Sequence, residues 1–132
     1  MLGERTAPRV LLLEPNAALR SAVQAVLAAE NYEVQTCSSL EEVLMHGAGF
    51  AAVALVAWQS MEGLLAEEQR HQLMELTGRI RLVLMVPRRW ARLLERSEVG
   101  TAVAGLVPKP FEADELLHAV QRALNSTTTV DA

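Results

Sequence analysis

The chain has 132 residues, room for one domain and too few for two of ordinary size. Hydrophobic residues make up 51% of it and aromatics only 4%, so any core is built from Val, Leu, Ile and Ala. A formal net charge of −4 argues against a dedicated nucleic-acid binder, and the lone Cys37 excludes an internal disulfide and a cysteine metal cluster.

The opening residues, MLGERTAPR, are charged and lack the apolar segment of a secretory signal. No apolar run approaches the ~20 residues needed to cross a bilayer. A cytoplasmic protein without a membrane partner is therefore expected. Val10–Leu13 (VLLL) reads as a first strand, followed by Glu14, Pro15 and Asn16. Leu19, Val23, Val26 and Leu27 then give a first helix one apolar stripe. Glu33–Cys37 (EVQTC) alternates, as suits an edge strand. Cys37 is expected to be a half-buried packing thiol. Ser39 and Glu42 have capping-box spacing before Val43 and Leu44, and Gly47 can end that second helix.

Phe50–Trp58 (FAAVALVAW) contains no polar residue and predicts a strand covered on both faces. A third helix is expected over Ser60–Leu76. Its middle, Glu67–Gln72, is wholly polar and either faces solvent or breaks the helix. Ile80–Val86 (IRLVLMV) is a fourth apolar strand that stops at Pro87. One helix then carries Trp90, Leu93 and Leu94. Gly105–Pro108 is a short fifth strand before Lys109 and Pro110. A last helix runs from about Glu112, with Leu116, Leu117, Val120 and Leu124 on its buried side. The final residues, NSTTTVDA, are polar.

Five strands alternating with five helices predict an α/β fold with right-handed crossovers. The expected architecture is a flavodoxin-like (βα)5, doubly wound, five-stranded parallel sheet in the order 2-1-3-4-5, with helices on both faces. Ligands of such sheets gather where strand order reverses, at the carboxyl ends of the strands. The positions so singled out are Glu14 and Pro15, Ala57 and Trp58, Val86 and Pro87, and Lys109.

Several stretches then show a family likeness. VLLLEPNAALR (Val10–Arg20), GLVPKPF (Gly105–Phe111) with the EADELLHAVQRAL that follows, and MEGL (Met61–Leu64) together resemble the receiver domain of bacterial two-component response regulators. The resemblance covers about Arg9 to Leu124, and implies a receiver-like domain over residues 1–125 with 126–132 as a polar tail or the start of a linker. It also implies a phosphoryl-accepting aspartate at the end of the third strand, Mg²⁺ held by neighbouring carboxylates, a Ser or Thr after the fourth strand, an aromatic switch on the fifth, and a lysine after it.

Against that pattern, Ala57 stands at the aspartate, and Trp58 or Val56 would stand there after a one-residue slip. The loop that follows is about two residues shorter than the family's. Glu14 fills the first acidic position and Pro15 the second; Val86 stands at the Ser/Thr and Leu106 at the aromatic, and Lys109 matches outright. The resemblance therefore implies a degenerate receiver that binds no Mg²⁺ and no other cofactor, with Glu14 the nearest partner for Lys109.

Arg88, Arg92 and Arg96 recur every fourth residue, with Arg89 alongside. They form either a docking stripe for an acidic partner or a solvated helix face that Glu95 and Glu98 dilute. Trp90 beside them is either core filling or an interface anchor. His46, His71 and His118 fall on three helices without metal-ligand spacing. There is no GxGxxG, no Walker loop and no Ser-His-Asp grouping, so no enzyme is expected.

The expected function is a pseudo-receiver that works through protein contacts, with possible pairing of two copies through the last two helices and the fifth strand, where Leu106 sits. Two alternatives stand beside it. One is the regulatory domain of a larger regulator whose output lies beyond Ala132. The other is a small-ligand sensor that uses an apolar pocket around Ala57 and Val86.

Overall fold

The computed structural model describes residues 8–47, 53–58 and 66–125. The MEGL segment, the polar tail and the start of the expected third helix lie outside the described residues. In chain order the elements are β1 (Arg9–Leu13), α1 (Ala17–Ala29), β2 (Glu33–Thr36), α2 (Leu40–Gly47), β3 (Val53–Ala57) and α3 (Ala66–Thr77). They continue with β4 (Arg81–Pro87), α4 (Arg88–Glu95), α5 (Glu98–Ala102), β5 (Gly105–Lys109) and α6 (Ala113–Asn125). All strand pairs are parallel and the order is β2-β1-β3-β4-β5, as the strand count predicts.

Strand side chains alternate between two cores. Leu11, Ala54, Val56, Leu82, Leu84 and Val86 face one way, against α2 through Leu40 and Val43, α3 through Leu73 and Leu76, and Ala91 and Val99 of α4 and α5. Val10, Leu12, Leu55, Ala57, Val83 and Met85 face the other way, against Val23 and Leu27 of α1 and Leu116, Val120 and Ala123 of α6. Both faces of β3 and of inner β4 are thus covered, which is why their sequences carry consecutive apolar residues.

Local chemistry sets the element ends. Asn16 caps α1, its side-chain oxygen accepting from the Leu19 N–H at 2.9 Å. Asn31 turns the chain toward β2 in the left-handed region, φ 67°. The Ser39–Glu42 spacing is a partial capping box: the Glu42 N–H donates to Ser39 Oγ at 3.1 Å, but the Glu42 carboxylate accepts from Ser38. Within α3, Glu67, Glu68, Arg70 and His71 are exposed, so its polar middle faces solvent and does not break the helix.

The single helix expected after β4 is instead two. Ser97 ends one and starts the other, its hydroxyl donating to the Leu94 carbonyl at 2.7 Å and accepting from the Gly100 N–H at 3.1 Å. The two pieces fold back tightly at Gly100. A Cβ there would lie 1.9 Å from the Leu94 carbonyl oxygen and 2.8 Å from its carbon.

Candidate functional site

The β1 and β3 tips flank the place where strand order reverses. Directly after β1 comes Glu14, 1% exposed and the buried charged residue of the described chain. Its Oε1 accepts from Lys109 Nζ at 2.8 Å, and its Oε2 accepts from the Asn16 N–H at 2.9 Å. Its backbone carbonyl accepts from the Arg20 guanidinium at 2.9 Å. The two side chains of the ion pair are 0% and 14% exposed.

Lys109 ends β5, and three strand-to-strand steps separate β5 from β1. At about 4.8 Å per step that is about 14 Å, which only two long side chains can bridge. The pair therefore arches over the ends of β3 and β4. Beneath it, Ala57 ends β3 level with Met85, wholly buried in the core shared with α1 and α6. Trp58, just beyond, is half-buried against the opposite core.

Val86 lies one residue inside β4, opposite Pro108 and wholly buried. The residue level with Lys109 is Pro87, so the tip position belongs to Pro87. Proline can close a strand because a tip residue needs no ladder donor. Neither residue offers a hydroxyl. Pro15 is exposed and supplies no side-chain oxygen. Among the described residues at these tips, Glu14 is the carboxylate and each of its oxygens accepts from an N–H donor, a donor set that a Mg²⁺ ion, demanding several hard oxygens in octahedral array, does not fit. No group of three or more potential metal ligands occurs among the described residues.

Ala57 and Val86, around which an apolar pocket was expected, are both 0% exposed and face opposite cores. A cleft of about 590 Å³ lies beside the β1 and β2 tips, lined by Glu14, Pro15, Arg20, Cys37, Ser38 and Glu42. Burial, followed by the neighbouring Glu42 charge, pushes the Cys37 thiol up to about 11. Hydrogen bonds from the Ser38 N–H and hydroxyl hold the Glu42 carboxyl below its ordinary value.

On the flank formed by α4, β5 and α6, Arg88 donates to the Pro110 carbonyl at 2.8 Å. Arg89, Arg92 and Arg96 are exposed. Trp90 is 42% exposed and not core filling; Leu93 is 63% exposed, and Leu106 is half-buried. Sequence reading missed three of these features. The Asn16 N–H and the Arg20 guanidinium support Glu14 from one turn of α1, which the Glu-Pro-Asn order could have signalled. The Arg88 bond to Pro110 crosses between elements and left no local trace.

No family model matches the chain, and no curated protein matches it by sequence. Solved structures do resemble it in fold. A response regulator from Thermotoga maritima is 16% identical over 92% of this chain and 100% of that one, with a TM-score of 0.72. The chemotaxis response regulator CheY4 of Vibrio cholerae is 21% identical over 90% of this chain and 100% of its own, TM-score 0.69. A structure described as an adenylate cyclase from Rhodopirellula baltica is 17% identical over 91% of this chain and 89% of its own, TM-score 0.70. The chain thus has the CheY-like, flavodoxin-type fold of receiver domains.

Proposed function

We propose that the chain is a pseudo-receiver, a signalling module that works through protein contacts and takes no phosphoryl group. One observation carries this reading: Ala57, a buried methyl, stands at the β3 tip while Glu14 and Lys109, at the tips of β1 and β5, are paired with each other at 2.8 Å. A phosphoryl acceptor needs a nucleophile, and Ala57 has none. The lysine that could hold phosphoryl oxygens is engaged with a buried carboxylate. On this reading the module needs no Mg²⁺, catalyses no reaction, works in the cytoplasm and does not contact nucleic acid. The degenerate positions are Glu14, Pro15, Ala57, Val86 with Pro87, and Lys109.

The test is incubation with acetyl phosphate and Mg²⁺ followed by intact mass, beside a receiver that keeps its aspartate. The expected result is phosphate on the control and none on this chain. A hydroxylamine-labile adduct of one phosphate would overturn the reading.

The contacts are assigned to the flank of α4, β5 and α6, where Arg88, Trp90, Arg92, Arg96 and Leu106 lie. Pairing of two copies through this flank would bring α4, β5 and α6 of one copy against the same elements of the other. Sedimentation velocity at rising concentration measures that pairing, and an unchanging monomer would exclude it. Ligand sensing gains no support from Ala57 and Val86, which are both buried.

A further inference from the structure

We infer that the cleft at the tips of β1 and β2 binds a small zwitterion of the free amino-acid class, its carboxylate on Arg20 and its ammonium on Glu42. The inference goes beyond the pseudo-receiver reading and concerns a different place, on the far side of β1 from Ala57.

Topology opens the cleft. Helices α1 and α2 leave neighbouring strands for opposite faces of the sheet: Val23 and Leu27 of α1 pack in one core, Leu40 and Val43 of α2 in the other. Connections that part in this way leave a crevice beyond the strand ends, where sheets of this kind take ligands. The connections after β1 and β3 also part, but there Ala57 is wholly buried and Glu14 is paired with Lys109. Between β1 and β2 the cleft measures about 590 Å³. Small-molecule sites usually span about 300–1,000 Å³.

Opposite charges line it from its two sides. Arg20 belongs to the first turn of α1 and Glu42 to the first turn of α2. Each is held in place. Arg20 Nη1 donates to the Glu14 carbonyl at 2.9 Å, which leaves the other donors of the guanidinium fork. Glu42 Oε1 accepts from the Ser38 N–H at 2.6 Å and from its hydroxyl at 2.9 Å. Glu42 Oε2 stands 4.0 Å from His46 Nε2, beyond hydrogen-bond length. Yet the two charges do not meet: among the described residues, no carboxylate lies within ion-pair reach of Arg20. The Glu14 carboxylate is committed to Lys109 and Asn16.

A cation and an anion, both anchored and facing one cleft without touching, fit a ligand that carries the opposite charge at each end. A dicarboxylate satisfies Arg20 and is repelled by Glu42; a diamine does the reverse. No aromatic ring lines the cleft, so a nucleobase finds nothing to stack on. Pro15 and Cys37 supply an apolar edge for an amino-acid side chain.

The test is isothermal titration calorimetry of the full chain with glycine, L-leucine and 5-aminovalerate, which set the two charges at different spacings. Succinate and putrescine are the comparators. Saturable binding of at least one zwitterion is expected, with both comparators weaker. Amide NMR should place the shifts at Glu14, Arg20, Cys37 and Ser38. Arg20→Gln and Glu42→Gln should each weaken binding by about tenfold or more. Glu42→Gln keeps an acceptor for Ser38 and so keeps the fold; it decides the matter should Arg20→Gln lower stability.

No saturation by any of the three at millimolar concentration would overturn the proposal. So would succinate or putrescine binding as tightly, unchanged affinity in Glu42→Gln, or amide shifts gathered elsewhere. The phosphate assay is independent. An adduct with zwitterion binding intact removes only the pseudo-receiver reading; no adduct and no zwitterion binding removes only this one.

Discussion

Replacing Lys109 by methionine keeps the length of the side chain, removes its charge and leaves the Glu14 carboxylate buried with one remaining donor, the Asn16 N–H. At the 2.8 Å separation of the pair and an effective dielectric of about 20, the attraction lost is about 6 kcal/mol. Desolvation of the two head groups offsets much of that attraction in the folded protein, because the Glu14 side chain is fully buried and Lys109 nearly so. Breaking such a pair from one side costs about 3–5 kcal/mol, and the partial exposure of Lys109 puts this one near 3. For a domain of this length that lowers Tm by roughly 10 °C. Glu14→Gln keeps an acceptor for Asn16, and the remaining charge is that of the partly exposed Lys109, so it should cost less, about 1–2 kcal/mol. The double variant leaves no buried charge unpaired, and should be about 2 kcal/mol more stable than the sum of the single changes predicts. Urea denaturation measures all three, with a lower midpoint and an unchanged slope as the expected signature. A loss below about 0.5 kcal/mol in Lys109→Met, or additivity of the two single changes within that margin, would mean the lysine is merely solvated and the sealed-crevice reasoning is wrong.

Gly100→Ala should cost about 1–3 kcal/mol, since the new methyl would meet the Leu94–Glu95 backbone and not a yielding side chain; equilibrium unfolding tests this, and an unchanged midpoint would count against it. Cys37 should resist iodoacetamide at neutral pH in the native protein and react fully in denaturant, because its thiol is buried and keeps its proton up to about 11. Between its ordinary value near 9.0 and about 11 the folded form holds more of that proton than the unfolded chain. Stability should therefore fall as pH rises through that window, and Cys37→Ser should lack this part of the fall.

Strand content and order were legible in the sequence because a doubly covered strand must be apolar at every position, and Val53–Ala57 and Leu82–Val86 are. The Glu14–Lys109 partnership was legible too, once topology brought their strand tips to the same edge. Other features were not. The break between α4 and α5 depends on a single serine hydroxyl satisfying two backbone groups, and serine is common inside helices as well. Trp90 is exposed because Ala91, and not its larger neighbour, is the α4 residue buried toward the core, a choice that the spacing of so short a helix does not encode. The apolar run ending at Val86 left Pro87 outside the strand by one residue, since proline ordinarily signals a stop, whereas here it is the last paired position.

The bond from Arg88 to the carbonyl of Pro110 has a mechanical consequence. Its acceptor belongs to the residue immediately after Lys109, and its donor to the first residue of α4. A force that lifts that helix must either snap the tether or drag the peptide next to the sealing ammonium with it. Whatever grips the arginine-bearing rim is thus one hydrogen bond and one peptide link away from the lid of the crevice.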